Sequence, residues 1–276
     1  MNKGPTSFLI NGRHVDTEGR MSLAGLAKCF FPGADLALLE GQLVDQVEWQ
    51  DTFPESGAEI IFACRGVMPD PESYRRLLLS RNPPGTVERL ERAVVGFAGC
   101  GGLGSHAALA LARLGVGNLV IVDFDTVEPT NLNRQAFVAE DLCTAKVDAL
   151  GRLISSVNPL ATVARHNCVL APGNIAGIFC GCQVILECLD NPIAKRMFVE
   201  TVLEEIPETV VVAASGIGGL GPAAEIETRR IMSRLWLVGD GISGVEEGLG
   251  LAAPRVMIAA GQQALCAANL LLSCIN

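Results

Sequence analysis

The chain has 276 residues, of which 49% are hydrophobic, 18% charged and 5% aromatic, with 30 glycines and a mean hydropathy of +0.36. Disorder is excluded, and the length suits one large α/β domain with a small module better than two equal domains. Lys+Arg 21 against Asp+Glu 30, a formal net charge of -9, argues against broad binding to nucleic acid or anionic lipid, so any bound polyanion needs a local pocket.

Residues 1–66 read as a small α+β module. Ser7-Phe8-Leu9-Ile10 is a strand, Asn11-Gly12 a tight hairpin signal, Ser22–Phe30 a helix, and Leu36–Leu39 and Glu59–Ala63 are returning strands; this is the order of a β-grasp. Residues 67–92 carry Pro69, Pro71, Pro83 and Pro84 with Arg75, Arg76, Arg81, Arg89 and Arg92, which predicts a helix-and-turn connector. Over 93–276 the pattern is βαβ. Apolar runs at Ala93–Ala98, Leu119–Val122, Thr162–Ala164, Val184–Leu186 and Val210–Ala214 alternate with helical stretches up to Leu114 and over Ala145–Val157, Ile193–Glu205 and Pro254–Leu272. The expected architecture is a Rossmann-like, mostly parallel sheet with helices on both faces.

Cysteines stand at 29, 64, 100, 143, 168, 180, 182, 188, 266 and 274, without any C-x-x-C pair, so no zinc site is expected. The polar start Met1-Asn2-Lys3-Gly4 reads as no secretory leader, which predicts a cytoplasmic protein whose thiols are mostly small buried apolar groups. The stretch Leu249–Cys274 is interrupted by Pro254, Arg255, Gln262 and Gln263, and no membrane span is expected.

Gly99-Cys-Gly-Gly-Leu-Gly104 follows a strand and opens a helix. There G-x-G-x-x-G has a mechanism: Gly99 permits the turn, Gly101 with Gly102 lets phosphate approach backbone N–H groups, and Gly104 allows close helix–strand contact. Asp123 and Asp125 end the next strand, about twenty residues on, where ribose recognition requires an acid. These features suit a nicotinamide dehydrogenase equally well. The discriminating residues come next: Asn131, Arg134 and Gln135 after that strand, Lys146 at a helix start, and Asp190-Asn191 after the Val184–Leu186 run. Two cations, amides and a carboxylate at one sheet edge suit a triphosphate cleaved between its α and β phosphates with magnesium, and hydride transfer has no use for them. Taken singly, Asp190 could instead cap a helix, Lys146 could be a surface lysine and Arg134 an ordinary ion-pair partner. No Walker-type loop occurs, and His14, His106 and His166 read as packing or surface residues.

At these residues the sequence resembles the ThiF/MoeB/HesA family, bacterial relatives of ubiquitin-activating enzymes. The matching strings are Gly99–Ser105, Gly115-Val-Gly-Asn-Leu119, Asp123–Gln135, Lys146, Asn158-Pro159 and Asp190-Asn191. Val212–Gly216, Gly239-Asp-Gly241 and Ala253-Pro-Arg-Val256 are similar to a ThiF branch with a fused N-terminal ThiS-like, ubiquitin-like module. The resemblance implies ATP- and Mg2+-dependent adenylation of the C-terminal glycine of a ThiS-type sulfur carrier protein in thiamine biosynthesis, by a homodimer. By position Asp123 would hold ribose, Asn131, Arg134 and Lys146 the phosphates, Asp190 the magnesium, and Arg81 would be an arginine often supplied from the other subunit. Two departures stand out. The zinc-binding C-x-x-C pairs of many members are absent, and no cysteine lies between Cys188 and Cys266 to bond the carrier covalently, so the reading stops at the acyl-adenylate. The module ends at Arg65-Gly66 and runs on into Val67 without a free Gly-Gly tail, which makes it a docking, dimerisation or regulatory element. The alternatives are another carrier, for molybdopterin or cysteine synthesis, a modified tRNA base, a non-catalytic scaffold for ubiquitin-like proteins, or an NAD dehydrogenase. The glycine-rich 215–221 and 239–250 segments would form a channel and flap over the carrier tail.

Overall fold

The computed structural model describes residues 5–244 and 250–273, and the chain divides into two compact units, Met1–Pro83 and Pro84–Asn276. In the first unit β1 (Thr6–Ile10) and β2 (Arg13–Thr17) form a hairpin. Its turn residues Asn11 and Gly12 have φ of 47° and 75°, the left-handed pair that Asn-Gly supplies at low strain. Helix α1 (Leu23–Phe30) starts where the Ser22 hydroxyl accepts the Gly25 N–H. Strands β3 (Leu36–Leu39), β4 (Gln42–Val44) and β5 (Glu59–Ala63) complete a sheet of order β2-β1-β5-β3-β4, with β1 and β5 parallel at its centre. Phe8, Ile10, Leu23, Leu26, Ile60 and Phe62 fill the core between sheet and helix. The chain then enters α2 (Pro71–Arg81), which belongs to this unit: Glu72 pairs with Arg13 and Arg76, and the Arg76 stem lies against Gly12. The division between units therefore falls inside the stretch read as a connector.

The second unit begins with α3 (Thr86–Leu90) and β6 (Val94–Ala98). Then follow α4 (Gly102–Leu114), β7 (Asn118–Val122), α5 (Lys146–Val157), β8 (Thr162–His166), α6 (Pro172–Phe179) and β9 (Val184–Glu187). The chain ends in α7 (Pro192–Glu205), β10 (Val210–Ala214), β11 (Glu227–Met232), β12 (Leu235–Gly239) and α8 (Ala253–Leu272). The seven strands order as β11-β12-β10-β9-β6-β7-β8. All neighbours are parallel except β11 and β12. This is the Rossmann-like sheet, and the chain reverses its direction of growth between β6 and β9, the crevice where ligands of such sheets bind. Alternation along the strands builds a core on each face. Val95, Phe97, Leu119, Ile121, Leu186 and Val212 meet α4, α5 and α8, whereas Ala98, Val122, Ile185 and Val211 meet Phe179 of α6 and Phe198 of α7.

Two expectations are corrected. Helix α8 is in fact long and apolar enough to cross a membrane, by length and composition. Half of its most apolar window is buried, however, and it packs on α4 and the sheet; Pro254 occupies the first turn, where it is tolerated, and Gln263 is buried with partners. The thiols are not mostly buried. Cys100, Cys182, Cys188 and Cys266 are, but Cys29, Cys143 and Cys180 are exposed and Cys64 and Cys168 half-buried, because these five lie at element ends and in loops rather than on core faces; Cys274 lies outside the described residues. Helix α6 and the β11–β12 hairpin were not expected: every residue of β11 is exposed, although Leu235–Val238 of β12 is an apolar run as long as those of other strands.

Candidate active site

The turn after β6 is shaped by glycine. Gly99 has φ +101°, and its N–H donates to Val122 O at 2.8 Å. A β-carbon on Gly99 would lie 2.7 Å from Cys188 O, and one on Gly104 1.9 Å from Gly99 O. Both glycines are therefore required by close backbone approach across the β6–β9 crevice and at the α4 start. Gly101 differs. A β-carbon there would meet nothing nearer than Gln135 Nε2 at 3.7 Å, so no internal packing demands a glycine, and the open space faces the start of α4. One on Gly102 would press on Val256 of α8 at 2.8 Å.

Asp123 ends β7 beside this turn. Its carboxylate accepts the N–H of Cys100 at 2.7 Å and of Asp125 at 2.9 Å. Burial pushes its carboxyl above the usual range, opposed by those two N–H bonds and by Lys146. Lys146 reaches the same edge because residues 143–146 return antiparallel to 125–127, through Val127 N to Thr144 O, Cys143 N to Val127 O and Lys146 N to Asp125 O. Its ammonium is buried, 2.8 Å from Asp125, whose side chain is half exposed. The loop carrying Asn131, Arg134 and Gln135 is braced by the first turn of α4. The Ser105 hydroxyl accepts Ala136 N–H, and the His106 ring bonds Arg134 O at 3.2 Å. Asn131 is engaged structurally: its side-chain oxygen accepts Glu128 N–H at 3.1 Å. Arg134 lies over Gly102, its guanidinium on Thr130 O and Asn133 Oδ1. Gln135 is buried beside Gly101 with its side-chain oxygen lacking any partner, an acceptor that a hydroxyl or N–H donor of a ligand, and not a phosphate oxygen, would satisfy.

Asp190 stands at the exposed edge beyond β9 and makes no hydrogen bond or ion pair with a described residue. The helix cap that competed for it belongs to Asn191, whose side-chain oxygen accepts Ile193 N–H at 2.9 Å and Ala194 N–H at 3.1 Å. Asp190 is thus left free to meet a cation, and a magnesium ion held by one carboxylate and substrate phosphates needs no cluster of protein acids. Among the described residues no group of three or more His, Cys, Asp or Glu could hold a metal. Arg81 is the last residue of α2, exposed, and in the other compact unit.

Several residues that shape this edge escaped sequence reading. Glu187, fully buried, pairs with Lys195; a carboxylate closing an otherwise apolar strand was the available signal, since such a charge demands a partner. Arg255, buried at the α8 start, bonds Asp240 at 2.6 Å. With Asp240 N to Gly216 O and Gly218 N to Ser243 O, it fastens the two glycine-rich segments together; residues 245–249 of the second lie outside the described residues. Burial pushes the Cys188 thiol, adjacent to the site, well up, which disfavours the reactive thiolate.

A model of the ThiF family matches residues 74–230. The chain belongs to the ThiF family. Among curated proteins this ThiF-family chain is 40% identical to the adenylyltransferase and sulfurtransferase uba4 of Aspergillus fumigatus over 114 residues, 41% of this chain and 23% of that protein. It is 32% identical to the ubiquitin-like modifier-activating enzyme 5 of Drosophila grimshawi over 171 residues, 57% of this chain and 43% of that protein. The chain thus spans less than half the length of these relatives. Its fold is that of Escherichia coli tRNA N6-threonylcarbamoyladenosine dehydratase, TcdA, solved with ATP (TM-score 0.66, 21% identity, 75% of this chain and 97% of that one). E. coli MccB, also solved with ATP, is a further fold relative (TM-score 0.54, 17% identity, 75% and 64%).

Proposed function

We propose that this chain is an ATP- and magnesium-dependent adenylyltransferase that joins AMP to the C-terminal glycine carboxylate of a ThiS-type sulfur carrier protein and releases pyrophosphate, in thiazole formation for thiamine. The single observation that carries the activity is the meeting, at the β6–β9 crevice, of an open glycine turn, an N–H-bonded Asp123, the buried Lys146 and an uncommitted Asp190. The names of the curated relatives support activation of a carrier or ubiquitin-like protein. Departure of the carrier from this class, including a tRNA base as substrate, is an outcome of the test below.

In this reading Asp123 holds the ribose hydroxyls, and the N–H groups opening α4, with Gln135 and the amide nitrogen of Asn131, orient the phosphates. Arg134 and Lys146 face the charge that grows on the departing pyrophosphate. Asp190 would hold the magnesium, which when bound neutralises phosphate charge. The nucleophile is the carrier's own carboxylate, ionised near pH 7, so no general base is needed. One carboxylate oxygen bonds to the α-phosphorus, the bond from that phosphorus to the α–β bridging oxygen breaks, and its electron pair leaves with pyrophosphate. The protein's task is alignment and charge neutralisation. Arg81 is assigned to the phosphates from the partner copy of a homodimer, the first unit serves as a docking element, and the compartment is the cytoplasm. The chain after β5 folds into α2 rather than a free tail, consistent with a module that does not act as carrier.

The experiment is ATP–pyrophosphate exchange with purified full chain and candidate substrates. Exchange that requires a carrier ending in Gly-Gly, and is lost in Asp190→Ala, supports the proposal. Exchange driven by another carrier or by tRNA redirects the substrate, and absence of magnesium–ATP binding defeats the enzyme reading.

A further inference from the structure

The turn that presents Asp190 is fixed on both sides by groups that do not themselves face the crevice. Glu187, 1% exposed, closes β9 three residues earlier. Lys195, in the second turn of α7, gives all three ammonium hydrogens to protein: Glu187 Oε1 at 2.9 Å, Glu187 Oε2 at 2.8 Å and Ala214 O of β10 at 3.1 Å. The same carboxylate accepts Leu189 N–H at 2.7 Å, which sets the backbone one residue before Asp190. On the other side Asn191 caps α7, and Lys195 N–H returns to Asn191 O at 2.9 Å. From below, Gln263 of α8 donates to Glu187 O and Val212 O, both at 3.0 Å. The Asp190 side chain is thus left without a partner among the described residues.

An ion pair with its carboxylate buried and its ammonium a quarter exposed is a poor way to gain stability, because desolvation of the carboxylate offsets the attraction. What this pair supplies that an apolar one would not is direction. It ties β9, β10 and α7 to one carboxylate and sets the Leu189 N–H against it. We infer that Glu187 and Lys195 are a positioning pair for Asp190, fixing the turn that presents the carboxylate which would hold magnesium. The inference rests on the assignment of Asp190 to magnesium made above.

The test reads ATP affinity by calorimetry on the full chain, first in EDTA and then in saturating magnesium chloride. The unmodified protein gains affinity when magnesium is added. In Lys195→Met and Glu187→Gln, ATP affinity in EDTA stays within about twofold, since the glycine turn and Asp123 are untouched, while the gain from magnesium shrinks by about tenfold or more, a coupling loss of about 1.4 kcal/mol. Lys195→Arg, which keeps the charge, recovers most of the gain. If either single variant fails to fold, Lys195→Gln combined with Glu187→Gln replaces ions by amides and carries the same expectation. A folded variant that keeps the full magnesium gain, or that loses EDTA affinity with the gain intact, overturns the inference. Should the unmodified protein show no magnesium gain, or Asp190→Ala retain it, the assignment of Asp190 itself fails.

Discussion

Gly101 and Gly104 sit three residues apart in one motif, yet the structure gives them opposite reasons for being glycine. Adding a methyl at Gly104 puts it 1.9 Å from Gly99 O, against a van der Waals contact of about 3.5 Å for carbon pairs. The obstacle is backbone, so β6 and α4 must separate by more than a side-chain adjustment can absorb. Overpacking of this kind costs about 1–3 kcal/mol, and two rigid backbones put Gly104→Ala near the top of that range. For a unit of this size that is a fall in Tm of roughly 6–12 °C. At Gly101 the added methyl meets Gln135 Nε2 at 3.7 Å, ordinary contact, and the expected change is within about 1 kcal/mol. The methyl would nonetheless fill the space through which phosphate reaches the α4 N–H groups, so nucleotide affinity falls by about tenfold or more, 1.4 kcal/mol. Thermal unfolding and ATP titration of both variants separate the two roles: Gly104→Ala loses stability and binding together, Gly101→Ala binding alone. A Gly101→Ala protein that binds ATP normally would refute the phosphate path, and a Gly104→Ala protein with unchanged Tm would refute the packing argument.

Asp190→Ala removes a side chain with no partner among the described residues, so its Tm should match the parent within the effect of about 0.5 kcal/mol, while exchange disappears; joint loss of both would show a structural residue. Lys146→Met should lower exchange by about a hundredfold, and retained exchange would remove Lys146 from the mechanism. Asp240 ties pH to stability. Burial pushes its carboxyl up, but the Ser243 hydroxyl, the Ser243 and Ile242 N–H groups and Arg255 outweigh this and bring it down to about 2. Because the folded value lies below the unfolded 3.8, its contribution to stability is complete above about pH 5 and decays as pH falls toward 2. Asp240→Asn, which leaves the buried Arg255 with Glu225 at 3.7 Å and Pro222 O at 3.3 Å as its remaining partners, should cost about 1–3 kcal/mol at pH 6. In urea titrations the gap between parent and variant should narrow below pH 4, and a gap independent of pH would show that the charge is not the cause.

Much of this molecule is written locally. The Asn11-Gly12 turn, the alternating or continuous apolar runs of β6, β7, β9 and β10, and the glycines opening α4 follow from backbone sterics and burial, both of which act over a few residues. Even the sheet edge that gathers Asp123, Lys146 and Asp190 is legible, because parallel strands with right-handed crossovers place their carboxyl ends on one side. Some of the family's strings proved to be structural. Gly117 is pressed against Glu91 O, 2.0 Å from where its β-carbon would stand, and Asn158 joins the end of α5 to Ala112 O of α4. The tertiary structure alone decided which of two adjacent polar residues caps α7 and which is free, because Asp190 and Asn191 are equally able caps until the turn geometry is set. It likewise decided that Lys146 is buried beside Asp125, that Glu187 finds Lys195, and that Arg255 fastens two glycine-rich loops. Those outcomes depend on side chains 8, 15 and 21 residues apart that meet only once separate elements pack together. A linear pattern can signal that a buried charge needs a partner, whereas the choice of partner is made by packing.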